Sequence, residues 1–250
     1  MGRVVLAEAT VSEHEGVRYL HLGTPWVQGA MRLRTPLRIE LEYVQRMMAW
    51  MLWRDPAELT RGHAVQLGLG AGALTRYCHR VLKMRTTAVE LNPSVIAACR
   101  HCFRLGDDDD RLQVVEGDAA RWLAEPGHRG SVQVLQVDLY DHDAAAPVLD
   151  DAAFYAACHA VLADGGVMTV NLFGRRASHA QSMSRIAEAF GADVPWSLRP
   201  TREGNSIAVA ARGVPLPARA QLLERAAAIE QRYALPARKW LRMLRPWPPP

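Results

Sequence analysis

The sequence predicts a doubly wound α/β domain with a mostly parallel sheet, preceded by a small N-terminal β unit. Three observations predict it. Strand-like apolar segments alternate with helical ones from residue 63 to about 210, a glycine run joins the first of these strands to its helix, and acids stand directly after several strands. Parallel strands need a helical crossover between them, so this alternation is what a wound sheet requires.

The elements follow in order. Residues 1 to 40 alternate apolar and polar positions, in Val4-Val5-Leu6 and again in Val17-Arg18-Tyr19-Leu20-His21-Leu22, with Gly16, Gly23 and Gly29 between them. This predicts short strands and turns. From Leu41 to Trp53 the apolar residues fall at helical spacing until Asp55-Pro56 stops them, which predicts a helix. The main domain then reads as strand 63–67, a glycine loop, a helix through Val81, strand 86–91, helix 94–104, strand 112–115 and a helical turn 119–123. Strand 132–137, helix 151–162, strand 166–172, helix 177–190 and strand 206–210 complete it. An amphipathic helix over 217–233 and a basic, proline-rich tail end the chain. The expected organisation is a β unit over 1–40, the α/β domain over 41–213 and a C-terminal helix and tail over 214–250.

Composition narrows the class. The 250 residues are 49% hydrophobic and 22% charged, which suits a globular protein and excludes disorder or coiled coil as the main theme. The longest strongly apolar run, Met47 to Trp53, is far shorter than the ~20 residues needed to cross a bilayer. With no secretory pattern at the N-terminus, a cytoplasmic location and no membrane partner are expected. Net charge is +4, and charges of both signs are interleaved, which reads as a solvated surface with no nucleic-acid partner. Cys78, Cys99, Cys102 and Cys158 are too few for a disulfide framework, and Cys99-x-x-Cys102 lacks the second pair that a metal site needs. Reduced thiols and no metal are expected.

The chemistry concentrates at strand ends. Gly68-Leu69-Gly70-Ala71-Gly72 lies between a strand and a helix, where glycines let backbone approach a ligand beside free helix amides. Glu90 ends the next strand, 18 residues after Gly72, placed to accept both hydroxyls of a ribose. Asp118, after Glu116-Gly117, would lie over the same crevice; it suits either an exocyclic purine amine or the N-cap of the helical turn at Ala119. The fourth strand runs into Asp138-Leu139-Tyr140-Asp141-His142-Asp143, three acids that repel one another unless a cation shares the site. Asp107 to Asp110 reads instead as a solvated loop.

Gly68 to Arg76, Glu90, Gly117-Asp118, Asp138-x-x-Asp141, Phe154-Tyr155, Leu162 and Asp164-Gly165-Gly166 together resemble the core of the spermidine synthase (polyamine aminopropyltransferase) family. That family is a branch of the class I S-adenosylmethionine-dependent methyltransferase fold, which is Rossmann-like. The resemblance extends over about residues 17 to 210. It marks Leu20-His21-Leu22-Gly23 with Gln28 as similar to the family's donor-contacting strand, Tyr43 as its helix tyrosine, and Pro200-Thr201 as its proline-threonine near the amine site. It implies a donor, S-adenosylmethionine or its decarboxylated form, bound by Gln28, Gly68, Gly70, Gly72, Glu90, Asp118 and Asp138. It also implies that Asp138 and Asp141, with Tyr43, serve an amine nucleophile. Three positions depart from the family: Ala71 stands where it has an acid, and Val44 and Gln45 where it has acidic or His-Glu residues.

Three functions compete. Aminopropyl transfer from the decarboxylated donor to an amine such as putrescine leads; methyl transfer to a small molecule is the alternative, and a noncatalytic nucleoside-binding protein is the third. A homodimer is the expected assembly. The basic aromatic tail, with Arg238, Lys239, Arg242, Arg245, Trp240 and Trp247, is expected to pack on its own domain or a dimer mate.

Overall fold

The computed structural model describes residues 6–139, 149–173, 176–191 and 193–248. Strands β1 (Ala9–His14), β2 (Val17–Leu22) and β3 (Gly29–Arg32) form a three-stranded antiparallel sheet. Of the first predicted strand segment, Val4 and Val5 lie outside the described residues. Leu20 and Met31 on the inner face of this sheet are fully buried and pack on the main domain.

The predicted helix 41–53 differs in type. Helix α1 (Glu42–Arg46) is followed by a 3-10 segment, Met47–Leu52, in which all six residues are buried. The reason lies across the sheet. The Met47 carbonyl accepts from Gln136 Nε2 at 3.2 Å and Thr169 Oγ1 at 3.0 Å, so neighbouring strands take an acceptor that an α-helix would have used itself. Burying large side chains such as Trp50 and Met51, at ~1.5–3 kcal/mol each, outweighs the poorer hydrogen-bond geometry of a tighter helix.

The main sheet is built from β4 (His63–Leu67), β5 (Arg85–Glu90), β6 (Leu112–Glu116), β7 (Val132–Val137) and β8 (Leu162–Phe173), all parallel. Connecting them are α2 (Ala73–Arg76) continued by a π turn (Tyr77–Val81), α3 (Pro93–Cys102), α4 (Ala119–Ala124) and α5 (Ala152–Val161). After α6 (Arg176–Phe190), β9 (Trp196–Leu198) and β10 (Asn205–Ala211) return antiparallel. Then come α7 (Arg219–Tyr233), α8 (Ala237–Met243) and β11 (Leu244–Pro246). The order across the eight strands is β11-β9-β10-β8-β7-β4-β5-β6.

Side chains alternate between two cores along each strand. Ala64, Val134, Val167 and Val209 face the 3-10 segment, α7 and α8, whereas Val65, Leu135, Met168 and Ala208 face α4, α5 and α6. The tail packs on its own domain, with Trp240 fully buried. It also adds an edge strand that the sequence reading missed, because proline argues against a strand except at an edge. Strand order reverses between β4 and β7, which places the crevice beyond the carboxyl ends of those two strands.

Candidate active site

The glycine loop leaves β4 at the reversal point. Gly68, Gly70 and Gly72 all have positive φ, at 88°, 49° and 68°, a region that residues with a Cβ rarely enter. Space is as decisive as torsion. A Cβ on Gly68 would stand 2.2 Å from the Asp138 carbonyl, so only glycine lets β4 and β7 release their loops side by side. From behind, Cys99 Sγ donates to Gly70 O at 2.9 Å and the buried Arg76 guanidinium donates to Ala71 O and Pro36 O. Burial lowers the Arg76 pKa to about 10.

A cavity of about 640 Å³ opens over this loop, within the range of ligand pockets. Gln28, Tyr43, Gly68, Gly70, Glu90, Asp118 and Asp138 all line it. Gly72 does not; it caps α2 behind the loop. Asp141 lies outside the described residues, with Tyr140, His142 and Asp143.

Glu90 ties the cradle together. One carboxylate oxygen accepts from Leu69 N and the other from Asn92 N, both at 2.9 Å. Burial pushes its pKa up while these amides pull it down, and burial prevails. The carboxylate lines the cavity, where a remaining lone pair can accept from a ribose hydroxyl. Asp118 caps α4, accepting from Arg121 N at 2.9 Å through Oδ1, so the capping reading holds. It lines the cavity as well. Gln28 Nε2 is buried with no partner among the described residues, a donor that a polar ligand group would satisfy. Orphan donor, glycine cradle and strand-end carboxylate all fit a nucleoside.

Asp138 follows the buried strand β7 and is itself shielded. Asn171 Nδ2 donates to Oδ1 at 2.9 Å, and the Tyr43 hydroxyl to Oδ2 at 3.3 Å. Burial raises its pKa against these two hydrogen bonds. Asn171 in turn accepts from Asn205 Nδ2 at 3.1 Å, which links Asp138 to the returning strand β10. The sequence reading missed both asparagines. A polar residue two places before the end of the apolar strand β8 was the available signal.

Ala71 is buried and faces β3. A Cβ on Gly29 would meet Ala71 Cβ at 2.5 Å and Ala71 N at 2.6 Å, so hairpin and loop close on each other only with residues this small. Ala71 also borders a hollow of about 20 Å³, shared with Tyr43, Val44 and Asp138. Gln45, the other departure, donates through Nε2 to Ile39 O at 2.8 Å and braces α1.

Fold and site define a nucleoside-binding α/β protein of the class I methyltransferase type, with a carboxylate set beside the glycine cradle. No protein-family model matches the chain. It is 31% identical over 232 residues to the polyamine aminopropyltransferase of Chromobacterium violaceum, covering 92% of this chain and 86% of that protein. A polyamine aminopropyltransferase of Neisseria meningitidis is 30% identical over 184 residues, 73% of this chain and 68% of that one. The chain belongs to the polyamine aminopropyltransferase family. Solved structures agree on the fold. A probable spermidine synthase from Corynebacterium glutamicum superposes with TM-score 0.73 at 19% identity, over 92% of this chain and 88% of that one. Human methyltransferase-like protein 13, in complex with SAH, gives 0.67 at 24% identity over 77% and 92%.

Proposed function

We propose that this protein transfers the aminopropyl group of decarboxylated S-adenosylmethionine to an amine such as putrescine and releases methylthioadenosine. The observation that carries the reading is Asp138, a shielded carboxylate held by Tyr43 and Asn171 at the edge of the nucleoside cradle.

In this reading Glu90 accepts the ribose hydroxyls, Gly68 and Gly70 let the nucleoside approach the backbone, Gln28 donates to the donor, and Asp118 meets the adenine with the oxygen that does not cap α4. The acceptor arrives as an ammonium with a pKa near ~10.4 and cannot attack in that form. Asp138, its basicity raised by burial, accepts an ammonium N–H, orients the nitrogen and takes its proton. Tyr43 and Asn171 each fix one Asp138 oxygen and leave a lone pair free for the amine. The freed nitrogen lone pair attacks the propyl carbon next to the sulfonium, the C–S bond breaks toward sulfur, and methylthioadenosine leaves neutral. Asp141 adds negative charge for the cation. Positioning the two reactants supplies most of the acceleration.

A second reading is methyl transfer from S-adenosylmethionine, and Ala71 and Val44 favour it, since neither carries a charge that would select a donor without a carboxylate. A homodimer in the cytoplasm completes the proposal. The outward strand β1, with Val11 exposed, offers the face for a second copy.

Calorimetric titration separates the readings. Decarboxylated donor and methylthioadenosine are expected to bind, and putrescine to bind the methylthioadenosine-loaded protein. Donor binding without amine binding would overturn aminopropyl transfer and leave methyl transfer. No binding of any donor or by-product would refute both.

A further inference from the structure

We propose that Trp26 forms the outer wall of the nucleobase site, so that the bound purine stacks on its indole. The inference rests on the nucleoside reading of the cavity, which aminopropyl and methyl transfer share, and adds a contact that reads the face of the base where Asp118 reads its edge.

Packing within the fold does not explain Trp26. It is 63% exposed, belongs to none of the three hydrophobic cores, and pairs with no other ring among the described residues. Val27 and Leu91 are exposed too, and all three line the cavity, as do Pro25 and Leu22. Exposed apolar side chains gathered on the rim of a cavity mark surface that a ligand covers. A flat aromatic ring among them suits a flat ligand, because every base has a π face to offer it.

The fold puts this ring on the nucleobase side. Leu91 follows Glu90 at the end of β5, and in the strand order β5 stands between β4, which releases the glycine loop, and β6, which leads to Asp118. Leu91 therefore lies between the groups that meet ribose and base. The next residue, Asn92, donates through Nδ2 to Ala7 O at 2.7 Å, and Ala9 N donates to Ser94 Oγ at 2.9 Å. Ala9 pairs with Leu22, and a Cβ on Gly23 would stand 3.4 Å from Ala7 Cβ. The turn that carries Trp26 thus leaves β2 against the residues that follow Leu91, two strands away from β7 and Asp138.

The backbone of the turn is held while the ring faces the opening. His21 Nδ1 donates to Trp26 O at 3.2 Å, and the other ring nitrogen of His21 accepts from Ser12 Oγ at 2.8 Å. Gln28 N donates to Leu20 O at 2.8 Å and closes the turn. Because the indole supports no core, replacing it changes the cavity rim and spares the fold.

The test titrates the full chain with methylthioadenosine and with adenosine, which share the base and differ at the 5′ thioether. Trp26→Ala is expected to weaken both by the same ~5- to 150-fold, the worth of one base–aromatic stack, with Tm unchanged. Trp26→Phe should recover more of the affinity than Trp26→Leu, since only the former restores a π face. Unchanged affinity in Trp26→Ala, a loss confined to methylthioadenosine, or equal recovery by the two larger variants overturns the proposal and leaves the nucleoside reading standing. Failure of the wild-type chain to bind either nucleoside overturns both.

Discussion

Replacing Asp138 by asparagine separates chemistry from structure, because the surrounding hydrogen bonds survive the change. Asn171 Nδ2 donates to Oδ1, and an asparagine at 138 keeps an oxygen there. The other oxygen, which accepts from the Tyr43 hydroxyl at 3.3 Å, becomes an amide nitrogen, and the hydroxyl can turn to accept from it. Both bonds are retained and a buried charge is removed, so stability should change by less than ~1 kcal/mol. What is lost is the base. Turnover should fall by ~10²–10⁴, while donor affinity stays within a few-fold. The pH profile gives an independent sign. Burial raises the Asp138 pKa, so the wild-type rate should drop on acidification from above the usual carboxylate range, and this acidic limb should vanish in the variant. Methylthioadenosine release measured by chromatography, with calorimetry for the donor, checks both. Equal losses of affinity and turnover would show that Asp138 serves the donor or the fold, and unchanged turnover would refute its role as base.

Glu90→Ala removes the acceptor for Leu69 N and Asn92 N as well as for the ribose, and should weaken methylthioadenosine binding by ~1.5–3 kcal/mol, measured by titration; an unchanged Kd would return Glu90 to a purely structural role. His63 is buried and its pKa is lowered to about 4, chiefly by burial. The unfolded chain therefore binds its proton first, and stability should be lost as pH falls from 6.5 through about 4, by up to ~3 kcal/mol at ~1.4 per pH unit. Thermal unfolding of His63→Gln should show a flatter pH dependence, and a curve parallel to wild type would contradict this. The native protein should bind S-adenosylmethionine and its decarboxylated form within about tenfold of each other, because Ala71 exerts no charge selection. Ala71→Asp should shift the preference to the decarboxylated form while lowering Tm, since a larger side chain presses on Gly29; a native preference of about a hundredfold would show that another residue discriminates.

Much of the site could be read directly because its reasons are local. Positive φ at residues 68, 70 and 72 demands glycine, and a carboxylate directly after an apolar strand marks the crevice in a wound sheet, which located Glu90 and Asp138. What escaped reading depends on elements distant in the chain. Asn171 and Asn205 become functional candidates only when β10 returns antiparallel beside β8. The helix expected over 41–53 tightens because Gln136 and Thr169, far along the chain, reach its Met47 carbonyl. Ala71 reads in the sequence only as a missing acid; that Gly29 of β3 packs against it and keeps it small depends on a hairpin some forty residues away.

Product analysis tests the central claim most directly. The full chain, incubated with decarboxylated S-adenosylmethionine and putrescine, should form spermidine and methylthioadenosine in equal amounts, followed by mass spectrometry, and Asp138→Asn should slow the formation of both together by ~10²–10⁴. Absence of spermidine from the wild-type reaction, with S-adenosylhomocysteine and a methylated acceptor formed from S-adenosylmethionine instead, would contradict it.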